Sequence, residues 1–114
     1  MTAADDLDEV FSISTYRDGG RGIVSVVGEL DLHTADALTT AVTGLLEQKV
    51  TRVEVDAGGL SFADSAGLRA VLIARAAAEV AGATFGVTDA SGTVERLIEI
   101  TGLSDLLADE PTES

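Results

Sequence analysis

The chain has 114 residues, with 20 Asp and Glu against 7 Lys and Arg, so its formal net charge is −13 at pH 7. This length fits one domain that folds without disulfide or metal cross-links. The absence of cysteine excludes disulfides, thiolate metal sites and cysteine nucleophiles. The negative charge repels nucleic-acid phosphates and anionic membrane surfaces, so we expect neither as a direct partner.

Both ends of the chain are acidic and lack hydrophobic periodicity. Residues 1–8 have neither the basic start nor the apolar centre of a signal peptide, and no apolar run reaches the length of a membrane span. We therefore expect a cytoplasmic protein. We predict a disordered acidic tail over residues 1–8, one domain over residues 9–108 and a loose tail over residues 109–114.

The first half of the domain predicts a hairpin followed by a helix. Residues 10–16 alternate, residues 17–20 supply turn chemistry and residues 23–27 are mostly apolar, which predicts an antiparallel hairpin with a more central second strand. After a connection, residues 35–48 carry an apolar stripe typical of an amphipathic helix. We expect Thr34 or His33 to cap that helix.

The middle of the chain predicts a third strand and a second helix. Residues 51–56 alternate like a strand, and Gly58 and Gly59 then break the pattern. A strand joined to the previous strand through a helix implies a parallel pair with a right-handed crossover. Apolar residues at helical spacing predict the second helix over residues 65–80.

The last part of the domain predicts one more strand and one more helix. Residues 84–88 are expected to form the fourth strand, and residues 91–100 a third helix that Gly102 ends. Residues 103–107 could add a short edge strand. The order β-β-α-β-α-β-α predicts an α/β domain in which helices pack against one mixed sheet of four to five strands.

One serine stands at a helix start that favours anions. Asp64 is a preferred N-cap residue, which places Ser65 at the first helical position. A hydroxyl there lies beside unpaired N–H donors and the positive end of the helix dipole. The sequence therefore predicts a prepared anion site around Ser65.

Three readings of this region follow from the residues alone. Ala63-Asp64-Ser65-Ala66-Gly67 resembles the nucleophile elbow of serine hydrolases, with His33 as the one available base, but the first glycine of that motif is missing. Asp56 could accept a phosphoryl group, but the further carboxylates and the lysine that this chemistry needs are misplaced. Alternatively, Asp64 and Ser65 only start a helix. We expect no metal site or cofactor.

Two segments together resemble a known family. Leu60-Ser61-Phe62-Ala63-Asp64-Ser65-Ala66-Gly67-Leu68 looks like the signature of the STAS domains of bacterial anti-sigma factor antagonists, and Gly28-Glu29-Leu30-Asp31 with His33-Thr34-Ala35 matches a second family segment. The resemblance spans about residues 10–107, and its paired motifs make it specific. It implies a STAS-like single domain.

The resemblance also implies a mechanism. Ser65 would be phosphorylated by an anti-sigma factor that is also a serine kinase, and a phosphatase would remove the phosphate. The partner-binding residues would be Gly28, Glu29, Leu30, Asp31, His33, Thr34, Asp64, Ser65, Ala66, Gly67 and Leu68.

The chain departs from the family pattern at two positions and at its end. Ala66 stands where the family often has a second serine, which leaves Ser65 as the acceptor, and Arg69 stands where a small residue is common. We expect the last helix common in the family to be absent. A STAS-type module that holds a small ligand or nucleotide at the same helix start is the alternative function.

Overall fold

A computed structural model of the chain describes residues 11–107. Its strands are β1 Ser12–Asp18, β2 Arg21–Leu30, β3 Arg52–Ala63 and β4 Thr84–Thr88, and its helices are α1 Ala35–Glu47, α2 Ser65–Val80 and α3 Gly92–Ile100. This order confirms the predicted β-β-α-β-α-β-α domain. The predicted tails over residues 1–8 and 109–114 lie outside the described residues, as do the domain residues 9, 10 and 108.

The four strands form one mixed sheet in the order β1-β2-β3-β4. β1 pairs antiparallel with β2, and the β2–β3 and β3–β4 pairs are parallel. Val24 and Val26 of β2 are completely buried, because this strand has a neighbour on each side and helices over one face. The predicted hairpin and the central position of its second strand are confirmed.

The helices pack on one face of this sheet. Gly22 of β2 lies so close to α1 that an added Cβ would be 2.9 Å from Leu45 Cδ1. α2 and α3 enclose, with the sheet, a cavity of about 20 Å³ that only apolar residues line. The core is aliphatic, and its largest fully buried side chains are Leu30, Leu38, Leu106, Val24, Val26, Val42, Val53 and Val55. Burial of these side chains supplies the main stabilisation of the fold.

The third strand is longer than its sequence predicts. β3 does not end at Asp56 but runs through Gly58 and Gly59 to Ala63, beside a β2 that itself continues through Gly28 to Leu30. The pairing register shifts twice along this stretch, as in a β-bulge. An added Cβ on Gly59 would be 2.7 Å from Val27 Cγ2, so the glycine permits a close strand approach rather than a turn.

The predicted edge strand over residues 103–107 is wrong. Ser104–Leu106 form a short 3₁₀ helix, and in this segment a single parallel bridge joins Leu107 to Val87. Leu106 is completely buried, and the Leu103 amide donates to the Ile98 carbonyl at 3.0 Å. Leu103, Leu106 and Leu107 are three and four residues apart, a spacing that suits a helical turn better than alternation.

The helices within residues 11–107 do not combine the length and apolar character needed to cross a membrane. In the same range, no group of three or more His, Cys, Asp or Glu residues is arranged to hold a metal ion.

Candidate functional site

The two family-like segments meet at one edge of the sheet. β2 and β3 are parallel neighbours, and Leu30 at the end of β2 lies opposite Ala63 at the end of β3. The Asp64 amide donates to the Leu30 carbonyl at 3.2 Å. The connection before α1 and the start of α2 therefore lie side by side, although more than thirty residues separate them in the chain.

The start of α2 has the predicted cap. Asp64 is the N-cap residue, and its Oδ1 accepts a hydrogen bond from the Gly67 amide at 2.9 Å. Ser65 is the first helical residue and is exposed. The amides of Ser65 and Ala66 donate no hydrogen bond to an acceptor within residues 11–107. The Ser65 hydroxyl thus lies next to free donors at the positive end of the helix dipole.

Gly67 brings α2 into direct contact with the end of β2. An added Cβ at this position would be 2.2 Å from the Leu30 carbonyl oxygen and 3.0 Å from Leu30 Cγ. Any side chain larger than hydrogen would therefore push the helix away from the strand. Glycine at this position fixes how closely the two segments approach.

Three of the predicted partner-binding residues are interior. Leu30 is 1% exposed and Leu68 is 9% exposed, and Gly67 is buried against the end of β2. Little of these three residues is therefore accessible at the surface, and they hold the start of α2 against the end of β2. Their predicted role in partner binding stays a prediction.

A network of hydrogen bonds holds the turn before α1. Thr34 Oγ1 accepts from the Asp31 amide at 2.8 Å and donates to the Glu29 carbonyl at 2.9 Å. Asp31 Oδ1 accepts from the amides of His33 at 2.9 Å and Thr34 at 3.2 Å. Thr34 occupies the N-cap position of α1, but its side chain does not bond the first-turn amides. The predicted N-cap position of Thr34 is therefore confirmed, but its side chain ties the turn back to β2 instead of bonding the helix amides.

We call the predicted partner-binding residues that are accessible at this edge the docking surface. Glu29, His33 and Ser65 are exposed, and the other members are partly exposed. The complete set is Gly28, Glu29, Asp31, His33, Thr34, Asp64, Ser65 and Ala66. It contains three carboxylates, so the surface around Ser65 is acidic.

The structure adds residues that the sequence prediction left out. Leu32 is 74% exposed, and a shallow groove between α1 and α2 runs beside it. The signal in the sequence was an apolar residue within an otherwise polar turn. Ala66 of the docking surface also lines this groove. The remaining groove residues could not be assigned without the packing of the two helices; they are Ala35, Asp36, Thr39, Arg69, Ala70 and Ile73.

The geometry gives no support to the two catalytic readings. Within residues 11–107, no hydrogen bond joins the exposed His33 to Ser65, and the His33 amide bonds Asp31. Asp56 does not end its strand, and its Oδ1 accepts from the Gly58 amide at 2.9 Å. Lys49 follows the C-terminal end of α1, near the start of β3 and away from the Ser65 edge.

A family model described as "Mlab, STAS domain" matches residues 13–108. The chain belongs to the STAS domain family. Its fold is also that of proteins described as anti-sigma factor antagonists. One of them, from Mycobacterium paratuberculosis, is 26% identical, with a TM-score of 0.76 over 90% of this chain and 87% of the other.

Further solved structures share the fold of this STAS domain. The anti-sigma factor antagonist SpoIIAA in its unphosphorylated form is 23% identical, with a TM-score of 0.75 over 90% of both chains. The phosphorylated form of Bacillus SpoIIAA is 22% identical, with a TM-score of 0.66 over 90% and 93% of the two chains. A sulfate transporter family protein from Wolinella succinogenes is 17% identical, with a TM-score of 0.69 over 82% and 75%. The predicted STAS-like fold and the similarity to anti-sigma factor antagonists are confirmed.

Proposed function

We propose that this STAS domain is an anti-sigma factor antagonist that acts in the bacterial cytoplasm. Its unphosphorylated form binds an anti-sigma factor that is also a serine kinase, and the bound sigma factor is thereby released. The observation that carries the proposal is the exposed hydroxyl of Ser65 at the first position of a helix capped by Asp64. The 26% identical antagonist supports the same assignment.

Phosphorylation requires that a kinase reach Ser65 Oγ, and the exposure of this residue permits it. The oxygen forms a bond to the γ-phosphorus of ATP while the bond to the leaving ADP breaks, and the hydroxyl proton passes to a base of the kinase. The free amides at the start of α2 can then hydrogen-bond the phosphate. The folded domain therefore accepts the new group without rearrangement.

The phosphate acts on binding through charge. It adds about −1.5 to −2 charges next to Asp64, on a surface that already carries Glu29 and Asp31. In a complex, these like charges must lose water together, which costs about 3 kcal/mol or more unless the partner supplies a cation. Since about 1.4 kcal/mol changes affinity tenfold, one phosphate releases the partner. A phosphatase restores the binding form.

The decisive experiment combines labelling with binding. The anti-sigma factor is first recovered by its binding to the Ser65→Ala form of the domain. The unchanged domain is then incubated with this factor and ATP, and the phosphate is mapped by mass spectrometry. We expect label on Ser65, no label on Ser65→Ala, tight binding by Ser65→Ala and weak binding by Ser65→Asp. Ser61→Ala is the matched control, because Ser61 is an exposed serine nearby whose hydroxyl donates to the Gly28 carbonyl. Label on Ser65→Ala, or equal binding by Ser65→Ala and Ser65→Asp, contradicts the proposal.

The alternative of a ligand-binding module receives no support from the interior of the fold. The enclosed cavity of about 20 Å³ has room for about one water molecule, and its lining is apolar. A nucleotide would have to bind at the surface. Calorimetry with nucleotides tests this, and sub-micromolar binding without a protein partner would favour the ligand module.

A further inference from the structure

We propose that Arg69 binds the phosphate carried by Ser65 and that phosphorylation thereby withdraws this cation from the edge of the docking surface. The inference rests on the proposed function, because it concerns the phosphorylated form of the same site. Phosphorylation then changes the surface in two ways. It adds a negative group, and it engages a positive one.

The two residues are neighbours on α2. They are four positions apart, which on a helix places their Cβ atoms about 5–6 Å from each other on the same face. Both are exposed, and both line one shallow surface depression beside Ala66, Leu68 and Leu72. Long helical side chains lean toward the helix N-terminus, so the chain of Arg69 extends toward Ser65 rather than away from it.

The Arg69 guanidinium is available for a new partner. The ion pairs within residues 11–107 join Arg21 and Arg52 to Glu54 and Arg75 to Asp105, so in this range Arg69 has no carboxylate within 4.0 Å. Asp36 of α1 faces the same groove as Arg69 but lies beyond that distance. The five N–H donors of the Arg69 guanidinium therefore have no acceptor among the described residues.

A phosphate on Ser65 is a better partner for Arg69 than the surrounding carboxylates. It carries nearly twice the charge of a carboxylate and presents three oxygens that the planar guanidinium can bind in bidentate fashion. Asp64 is committed to the Gly67 amide, and Asp31 to the amides of His33 and Thr34. In the unphosphorylated protein, by contrast, Arg69 is free to meet a carboxylate of the partner.

The test uses the full chain with phosphoserine placed at position 65 by genetic encoding, so that no kinase is needed. The second pKa of the phosphate is measured by ³¹P NMR in about 0.1 M salt in the otherwise unchanged chain, in Arg69→Gln and in Arg75→Gln. We expect this pKa to be about 0.5–1 pH unit higher in Arg69→Gln, because a nearby cation favours the dianion. All three chains retain Asp31, His33, Asp36 and Asp64, so those charges contribute equally to each curve.

Arg75→Gln is the matched control, since it removes the same charge from the same helix. Arg75 is ten residues beyond Ser65, about 15 Å along the helix axis, which exceeds the Debye length of about 10 Å at 0.1 M salt. We therefore expect its phosphate to titrate within about 0.2 pH unit of the parent in 0.1 M salt. Arg69→Lys should keep part of the effect, since it retains the charge but loses the bidentate geometry.

A second measurement does not depend on any variant. The Arg69 Nε–H resonance should move downfield when phosphoserine replaces Ser65. Equal phosphate pKa values in the parent and Arg69→Gln, or an unmoved Nε–H resonance, would overturn the inference. Either result would leave the proposed function intact, because kinase labelling and the binding of Ser65→Ala decide that question separately.

Discussion

Two helices of this STAS domain start side by side, and a hydroxyl residue stands at the start of each. At α1, the Thr34 hydroxyl is bonded to the Asp31 amide and the Glu29 carbonyl. At α2, the Ser65 hydroxyl is exposed and makes no hydrogen bond within residues 11–107. The comparison shows that the position of a hydroxyl relative to the N-cap, rather than its mere presence near a helix start, decides whether it holds the fold or stays free for chemistry.

An offset of one residue explains the difference. Thr34 occupies the N-cap position itself, where its side chain is drawn into the turn. At α2 the N-cap position belongs to Asp64, whose carboxylate binds the Gly67 amide. Ser65 therefore does not cap the helix, and its exposed side chain stands at the first position inside it.

The largest expected effect comes from separating the two helix starts. Gly67→Ala should lower the free energy of unfolding by about 3 kcal/mol, because the new Cβ collides with a strand carbonyl that cannot move aside. Denaturant titration measures this. Gly44→Ala in α1 is the control: no atom lies within 4 Å of its added Cβ, so it should stabilise by about 0.5–1 kcal/mol. Equal stability of Gly67→Ala and the parent would show that the close approach is not required.

Removing the hydrogen-bonded hydroxyl of Thr34 should have the next largest effect on stability. Thr34→Ala leaves the Asp31 amide and the Glu29 carbonyl without their partner, which should cost about 1–2 kcal/mol in thermal or chemical unfolding. Thr34→Ser keeps the hydroxyl and should recover most of that loss. If Thr34→Ala were as stable as Thr34→Ser, the hydrogen bonds of the turn would not be the reason for threonine here.

Loss of the α2 cap should cost somewhat less. Asp64→Ala removes the acceptor for the Gly67 amide and should destabilise the domain by about 1 kcal/mol. Asp64→Asn retains a capping oxygen and is expected to stay within a few tenths of a kcal/mol of the parent. Comparable losses in both variants would mean that the charge of Asp64, and not its hydrogen bond, supports the helix.

The free hydroxyl should be nearly neutral for folding. Ser65→Ala is expected to change the free energy of unfolding by less than about 0.5 kcal/mol, because an exposed group without a partner contributes little. The same urea titration used for Thr34→Ala gives the direct contrast. A loss as large as that of Thr34→Ala would show that the Ser65 hydroxyl also stabilises the fold, and the contrast between the two helix starts would be lost.

Sequence patterns were sufficient where the determinants were local. The cap at Asp64, the first helical position of Ser65 and the bounds of α2 followed from residues next to one another. The apolar stripe of α1 likewise followed from its own spacing. The predicted roles of the site residues in partner binding remain predictions.

Sequence patterns failed where distant residues decide the outcome. The sequence pattern predicts that Gly59 ends the third strand, yet its environment is set by Val27, thirty-two residues earlier in the chain. Leu30 lies beside Asp31 in a predicted partner-binding segment, but α2 covers it and leaves it 1% exposed. The groove that joins Arg69 to Asp36 exists only because α1 and α2 lie together, so no local pattern could reveal it.

The contact between Gly67 and the Leu30 carbonyl separates two kinds of evolutionary pressure within one short motif. The geometry of the sheet edge requires the glycine, whereas under the proposed function a modifying enzyme requires the serine two places before it. A descendant that abandons regulation by phosphate can therefore exchange its serine freely and still needs its glycine. An aligned set of STAS domains should accordingly show this position varying less than the acceptor.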